Sequence, residues 1–149
     1  PGLLEPGLYH ADGQIDGDAA TAVGNVALEA EWGGPPGWVH GDVAATNLLV
    51  ADGELSAVID FDCSAVGDPV CDVTIAWTLF HGESRRAFRD ALGRDDATWA
   101  RGRGWALWKA LIELHHALAF DAGTDQPGWL RMGWRKNATE ILEAVLAEH

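Results

Sequence analysis

The sequence predicts an α+β fold that is mostly helical and contains one small β-hairpin. The dipeptide Asp52-Gly53 separates two short apolar runs, at residues 48–50 and 55–59, and an Asp-Gly pair is a strong signal for a two-residue hairpin turn. Most of the later sequence has the three- and four-residue spacing of apolar side chains that is typical of helices. Neither a repeat nor a linker divides residues 16–149, so we expect a single, mostly helical lobe.

Local start and stop signals define the predicted helices. Asp16 or Asp18 can cap the first helix, whose spacing places Ala22, Val26 and Ala30 on one face. Later in the chain, an Asp-Pro pair marks a helix start and a glycine marks a helix end. The helices are expected at about residues 19–32, 69–80, 83–92, 95–120 and 128–148.

The composition is that of a globular domain. The chain has 149 residues, of which 48% are hydrophobic, and no run of 18 apolar residues predicts a membrane span. Residues 1–15 are rich in Gly and Pro and predict an irregular lead-in, without the basic start and apolar stretch of a signal peptide. Cys63 and Cys71 have no second pair with which to bind zinc, and we expect reduced thiols in a cytoplasmic protein.

The charge of the chain is strongly acidic and unevenly distributed. The formal net charge is -13, and all ten Lys and Arg residues lie between Arg85 and Lys136. Residues 1–84 contain fourteen Asp and Glu residues and no basic side chain. A nucleic-acid partner is therefore not expected, whereas a divalent metal or a polycationic small molecule suits an acidic field. Acidity that serves only solubility is the alternative.

Two polar motifs flank the predicted hairpin. Asp and Asn are poor strand residues, so their presence here indicates something other than packing. The first motif is H-G-D-x-x-x-x-N and consists of His40, Gly41, Asp42 and Asn47. The second is I-D-x-x-x-x-x-x-G-D-P-x-x-D and consists of Ile59, Asp60, Gly67, Asp68, Pro69 and Asp72.

The hairpin between the motifs predicts how their side chains meet. A tight antiparallel hairpin brings the end of its second strand beside the start of its first, so Asn47 and Asp60 should come within reach of one metal ion. Magnesium prefers hard oxygen ligands such as an amide oxygen and a carboxylate. Asp42 lies five residues before Asn47 and is close enough to hold a hydroxyl against a metal-bound phosphate. That arrangement suits phosphoryl transfer, in which positioning and charge neutralisation dominate.

These residues resemble the C-terminal lobe of the aminoglycoside phosphotransferase family, which is related to choline kinase and has a protein-kinase-like fold. Both motifs match the family in residue type and internal spacing, and the short hairpin between them fits as well. The helical sequence "WARGRGWALWKAL" is similar to bacterial members, though more loosely. The resemblance covers the chain from about residue 16 onward.

The resemblance implies a role for each motif residue. Asp42 would be the catalytic base or hydroxyl-orienting aspartate, and Asn47 and Asp60 would be ligands of Mg²⁺. The phosphate donor would be ATP, the acceptor would be a hydroxyl of a small molecule, and acidic residues of the helical region would hold a cationic antibiotic. The resemblance also implies structural roles, bracing the loop or tying it to the next helix, for His40, Asp68 and Asp72.

The sequence departs from the family in what precedes the motifs. A kinase of this type needs an N-terminal sheet lobe with a phosphate-covering loop and a Lys that pairs with the nucleotide. Here no basic residue precedes Arg85, no Gly-rich strand-turn-strand precedes His40, and Thr46 stands where the family often has Gly. We therefore expect a fragment of a longer protein, rather than a natural half-length product. We also expect the isolated chain to be inactive and to self-associate through the surface that the missing lobe leaves.

Two other functions remain open. One is a lobe that binds a ligand or partner without chemistry, which the missing phosphate-binding Lys favours. The other is a metal-dependent hydrolase built on His40, Asp42, Asp60 and Asp62, although two-metal hydrolytic sites usually recruit more His and bridging carboxylates.

Overall fold

The computed structural model describes residues 15–121 and 128–148, with side chains for residues 15–118 and 137–148. The predicted lead-in, apart from Ile15, lies outside the described residues. The predicted α+β, mostly helical fold is confirmed. In chain order the elements are α1 (Gly17–Glu29), β1 (Gly37–Val39), β2 (Leu48–Ala51), β3 (Glu54–Val58), β4 (Ala65–Gly67), α2 (Ile75–Thr78), α3 (Gly82–Leu92), α4 (Asp96–Asp121) and α5 (Gly128–Leu146). Short 3₁₀ helices occur at Ala45–Asn47, Phe61–Cys63 and Pro69–Thr74.

The four strands in the described part of the chain form two antiparallel pairs, one nested inside the other along the sequence. Strands β2 and β3 form the predicted hairpin, in which Leu48 lies opposite Val58. Strand β1 pairs with β4 outside that hairpin, a pairing that the sequence did not predict. Nesting brings the loop after β1, residues 40–47, to the same level as the loop after β3, residues 59–64. Both polar motifs have residues in these loops.

Helix α1 begins at the predicted cap but buries a different face. Asp16 accepts a hydrogen bond from a backbone N–H of the first turn at 3.0 Å. The predicted face is wrong, since Val26 is exposed. Small residues are buried instead because α1 crosses α4 closely: a Cβ on Gly104 would lie 2.3 Å from Cβ of Ala27. The residues of the wrongly predicted face are Ala22, Val26 and Ala30, and those buried are Ala20, Val23 and Gly24.

The segment predicted as one regular helix at residues 69–80 is wound more tightly at its start. Asp68 caps it as predicted and accepts a hydrogen bond from the backbone N–H of Val70 at 3.1 Å. The first six residues are 3₁₀ helix, and only α2 is α-helical. The Thr74 hydroxyl donates to the carbonyl of Cys71 at 2.9 Å, and such local bonds compete with the α-helical pattern.

The core lies among α1, α2, α4 and α5. Glu148 fastens the end of α5 onto this core, because its carboxylate accepts hydrogen bonds from the indole N–H groups of Trp77 at 2.9 Å and Trp99 at 3.0 Å. Burying a large apolar side chain stabilises a fold by about 1.5–3 kcal/mol, so the buried residues of this core stabilise the helices to which the loops are attached. Its largest fully buried members are Trp77, Leu107, Leu114, Ile141, Val70 and Val145.

Two sequence-based expectations concern the environment of the chain. Both cysteines, Cys63 and Cys71, are free thiols, as expected. Across residues 15–121 and 128–148, none of the helices combines the length and the apolar character needed to cross a membrane.

Candidate active site

The two loops between the nested strand pairs are joined by hydrogen bonds. The backbone N–H of Ile59 donates to the carbonyl of Asn47 at 2.9 Å, which extends the hairpin ladder by one pair. His40 Nε2 lies 2.9 Å from the carbonyl of Ile59, while its Nδ1 accepts the N–H of Asp42 at 3.3 Å. These two contacts require the tautomer that is protonated at Nε2. His40 is buried and therefore braces the loop, as its predicted structural role requires.

Gly41 allows the first loop to lie directly on the second. Its φ is 84°, a conformation that favours glycine. A Cβ at this position would lie 2.2 Å from the carbonyl oxygen of Cys63, a distance that no real side chain tolerates. The H-G-D sequence therefore contains glycine for two independent reasons, one conformational and one steric.

The carboxylate of Asp72 anchors the first loop through two hydrogen bonds. It accepts the backbone N–H of His40 at 2.8 Å and that of Gly41 at 2.9 Å, one bond to each oxygen. Asp72 belongs to the 3₁₀ helix that packs against α4, so the loop is tied to the helical core. This is the tie between loop and following helix that was predicted for Asp72.

Asp42 and Asn47 are brought together within the first loop. The Asn47 side chain is buried, and its Nδ2 donates to the carbonyl of Asp42 at 2.9 Å. Since the nitrogen is used in this bond, the amide oxygen is the atom left for a ligand, with the Thr46 hydroxyl at 3.5 Å. The Asp42 side chain is 44% exposed and so is accessible to a small molecule.

Asp60 follows Ile59, and Ile59 is bonded to Asn47, so the backbone places Asp60 one residue from the position opposite Asn47. Its φ is 64°, an uncommon conformation for a residue other than glycine. Asp52, in the hairpin turn, has a similar φ of 54°, so this conformation alone does not distinguish Asp60 as a functional residue. Within the described part of the chain, the Asp60 carboxylate has neither a hydrogen bond nor an ion pair.

Lys109 is a site residue that sequence reasoning missed. Its Nζ lies 2.7 Å from Asp42 Oδ1, although it belongs to helix α4 and follows Asp42 by 67 positions. The only sequence signal is that Lys109 is one of two lysines in an acidic chain and interrupts an apolar helical run. Such a signal does not indicate the partner.

Glu113 lies one helical turn beyond Lys109. Burial raises the pKa of the Glu113 carboxyl, which the hydrogen bond from Asn137 Nδ2 at 2.7 Å and the charge of Lys109 both oppose. The charge of Asp42 also raises this pKa. The three charged groups are therefore close enough to interact, and Asn137 connects them to α5.

The donor atoms suit a magnesium ion. Asn47 carries an amide oxygen and Asp60 a carboxylate, which are hard donors of the kind that Mg²⁺ prefers, and a pair of protein ligands would leave positions for phosphate and water. The hydrolase alternative needs a larger set, and no group of three or more His, Cys, Asp or Glu residues suited to a metal occurs in the described residues. Asp62 lies exposed on the 3₁₀ helix of the second loop, without a hydrogen bond to Asp42, Asn47 or Asp60 in that same set.

Comparison with solved structures defines the class of fold. The chain is similar to the apo form of a thermostable mutant of aminoglycoside phosphotransferase APH(4)-Ia, with 21% identity and a TM-score of 0.52 over 97% of this chain. Two ternary complexes of that enzyme are similar as well. One contains AMP-PNP and hygromycin B, with 21% identity and a TM-score of 0.52, and the other contains ADP and hygromycin B, with 20% identity and a TM-score of 0.53. The fold is thus one part of an aminoglycoside phosphotransferase fold.

The family follows from a second comparison. The model of the phosphotransferase enzyme family matches residues 8–105, which include both motifs. The chain belongs to this family, and the family predicted from the motifs is confirmed. Among curated proteins no relative matches. The chain spans about half the length of the solved structures it resembles, since it covers 50% of the apo structure and 49% of each complex.

Proposed function

We propose that the chain is the metal- and acceptor-binding half of an enzyme that transfers phosphate from ATP to a hydroxyl of a small molecule. In this proposal Asp42 orients the acceptor hydroxyl and takes its proton. Asn47 and Asp60 hold Mg²⁺, which neutralises charge on the phosphates when it is bound. The acceptor oxygen bonds to the terminal phosphorus of ATP, the bond to that phosphorus from the bridging oxygen breaks, and ADP leaves.

One observation carries the proposal. The H-G-D-x-x-x-x-N loop is bonded to the loop that contains Asp60, through Asn47 and His40 on one side and Ile59 on the other. The sequence predicted that these two loops lie side by side, and the nesting of the strand pairs explains why they do. Because phosphoryl transfer depends on positioning, a rigid junction of this kind suits it.

The acceptor class is proposed from charge. The chain has a formal net charge of -13 and no Lys or Arg in its first 84 residues, so its acidic field attracts cations even though Lys109 contacts Asp42. An aminoglycoside-like acceptor fits that field, and complexes of the similar enzyme contain hygromycin B. The cytoplasmic location expected from the sequence belongs to the same proposal, because ATP is the phosphate donor.

A phosphate-transfer assay tests the proposal. The full-length protein that contains this chain is incubated with labelled ATP, Mg²⁺ and a panel of aminoglycosides that includes hygromycin B. Asp42→Asn is expected to lower kcat by about 100-fold or more, because the proton acceptor is lost. Asn47→Ala and Asp60→Asn are expected to raise the Mg²⁺ concentration needed for half-maximal rate. The isolated 149-residue chain is expected to transfer no phosphate at a useful rate.

Asp52→Asn is the matched control. Asp52 is an exposed aspartate in the turn of the same hairpin, and its φ of 54° is one that Asn also tolerates. Its kinetics should equal those of the wild-type protein. Ordinary turnover by Asp42→Asn would contradict the proposal, and so would ligand binding by the wild-type protein without any transfer. The latter result would favour the non-catalytic binding lobe.

A further inference from the structure

Lys109 makes a contact that the roles of Asp42, Asn47 and Asp60 do not explain. Its ammonium group lies 2.7 Å from Asp42 Oδ1, and its own side chain is 26% exposed. We propose that Lys109 is a positioning residue, which holds Asp42 by Oδ1 and leaves Oδ2 for the acceptor hydroxyl. This inference rests on the proposed function and assigns a residue to it that lies outside both motifs.

The backbone does not fix the orientation of the Asp42 carboxylate. Its terminal torsion is broad and nearly two-fold, so backbone geometry alone does not fix where the two oxygens point. In the described part of the chain, Lys109 provides the one hydrogen bond to this carboxylate, since the other contacts of Asp42 use its backbone N–H and carbonyl. Without Lys109 the Asp42 carboxylate is free to rotate, so Oδ2 no longer has a fixed direction toward the acceptor.

Lys109 is itself anchored to the helical core. It extends from α4, whose neighbouring residues Leu107 and Ala110 are fully buried in the core. One turn later, Glu113 interacts with the Lys109 charge and is held by Asn137 of α5. Lys109 thus lies between the Asp42 carboxylate, at 2.7 Å, and the charge of Glu113, which Asn137 joins to α5. A side chain fixed in this way can transmit the position of the core to the loop.

The ion pair of Lys109 with Asp42 adds little to the stability of the fold. Ion pairs that are partly exposed contribute little to the free energy of unfolding, so stability alone gives no reason for this pair. Orientation of a reacting group is a different matter, because a small misplacement can reduce a rate by about 100-fold. The effect of losing Lys109 should therefore appear in kcat rather than in the melting temperature.

The experiment uses the full-length protein with Lys109→Met, Lys109→Arg and Asp42→Asn variants. Steady-state rates are measured with MgATP and hygromycin B, and also without acceptor, as ATP hydrolysis in which water accepts the phosphate. Lys109→Met is expected to lower kcat by about 10- to 100-fold. The KM for ATP and the Tm should stay at wild-type values. Lys109→Arg, which keeps a charge within reach of Asp42, should recover most of the rate.

Arg86→Met is the control for loss of a positive charge. Arg86 lies on α3, is exposed, and is 3.7 Å from Glu83. Its kinetics should match the wild type. The role of Lys109 is contradicted if Lys109→Met keeps its kcat or gains rate, or if Lys109→Arg is no better than Lys109→Met. A failure of the proposed function gives a different result. In that case the wild-type protein neither transfers phosphate nor hydrolyses ATP, or the Asp42→Asn variant has the same kcat as the wild type.

Discussion

The carboxylate of Asp72 accepts a hydrogen bond from the backbone N–H of Gly41 at 2.9 Å, across 31 positions of sequence. Together with the bond from His40, this contact ties the loop of Asp42 to the 3₁₀ helix that contains Asp72. Asp72→Ala removes both bonds from a charged acceptor, and we expect a loss of about 2–4 kcal/mol in the free energy of unfolding. Urea denaturation measures the loss, and kcat of the full-length protein should fall as well. Asp90→Ala, at an exposed position of α3, should change neither. A stable but inactive Asp72→Ala variant would mean that Asp72 does more than anchor the loop.

Gly41 and Gly53 provide a matched pair of glycine substitutions. Their φ values are 84° and 82°, so an Ala at either site meets the same conformational cost, about 1–2 kcal/mol. They differ in space: a Cβ at Gly41 would overlap the carbonyl of Cys63, whereas Gly53 has nothing within 4 Å. Gly41→Ala should therefore destabilise the fold by about 1–3 kcal/mol more than Gly53→Ala, and should separate the two loops. Equal melting temperatures would show that the loops move apart at no cost.

Features with a local sequence signal were predicted correctly. The Asp52-Gly53 turn, the cap at Asp16 and the left-handed Gly93 after α3 each depend on a few neighbouring residues. The same reasoning placed Asn47 opposite the residue before Asp60, which the backbone bond of Ile59 to Asn47 confirms, while a metal ion shared by Asn47 and Asp60 stays a prediction. The part of the site that depends on the register of the hairpin could therefore be predicted from the sequence.

Features that depend on distant partners were missed. The contact of Lys109 with Asp42 and the pairing of β1 with β4 join segments that no periodicity relates. The prediction of the buried face of α1 was wrong because close packing of Ala27 on Gly104 determines which face is buried. The prediction relied instead on the spacing of larger apolar residues. Sequence patterns indicate which residues are buried, but they do not indicate which residues those side chains contact.

Arg101 forms an ion pair that should be important for stability. Its side chain is 9% exposed, and its Nε donates to Asp68 Oδ2 at 2.9 Å. It also donates to the carbonyl of Glu31 at 3.2 Å, so it joins α4 to two other segments. Arg101→Met leaves Asp68 without its partner, and we expect a loss of about 3–5 kcal/mol.

The comparison for that loss is an exposed ion pair of the same chain. Arg86→Met breaks the pair with Glu83 on α3, where both side chains are largely in solvent. Exposed pairs contribute about 0–1 kcal/mol, so urea denaturation should separate the two variants clearly. Similar losses in Arg101→Met and Arg86→Met would show that the Asp68 contact adds no stability.

The two cysteines should react at different rates. Burial raises the pKa of the Cys71 thiol above its usual 9.0, and the charge of Asp72 raises it further. Cys63 is exposed. At about pH 8 the Cys71 thiolate is therefore scarcer than that of an ordinary cysteine, and alkylation by iodoacetamide should be slow there and fast at Cys63. Raising the pH should accelerate the slow phase. Cys63→Ser should abolish the fast phase alone, and a fast phase that survives it would show that Cys71 is more accessible than the structure indicates.

The isolated chain should self-associate through the outer faces of its two strand pairs. Trp38 is 81% exposed and lies opposite Val66, which is 56% exposed, while Val50, Leu55 and Phe61 expose their side chains on or beside the inner pair. Exposed apolar side chains grouped in this way indicate a surface that is normally covered. The chain spans about half the length of the solved structures it resembles, and association through these faces would bury them.

Light scattering over a concentration series measures the association. The mean mass should rise with concentration for the wild-type chain, and Trp38→Ser combined with Leu55→Ser should reduce that rise because it removes two of the largest exposed apolar groups. Leu28→Ser is the control, since Leu28 is 69% exposed but belongs to α1 and to neither strand pair. If the wild-type chain stays monomeric throughout, the strand faces do not drive association. If Leu28→Ser reduces the mass as much as the double variant does, the contact is not specific to the strands.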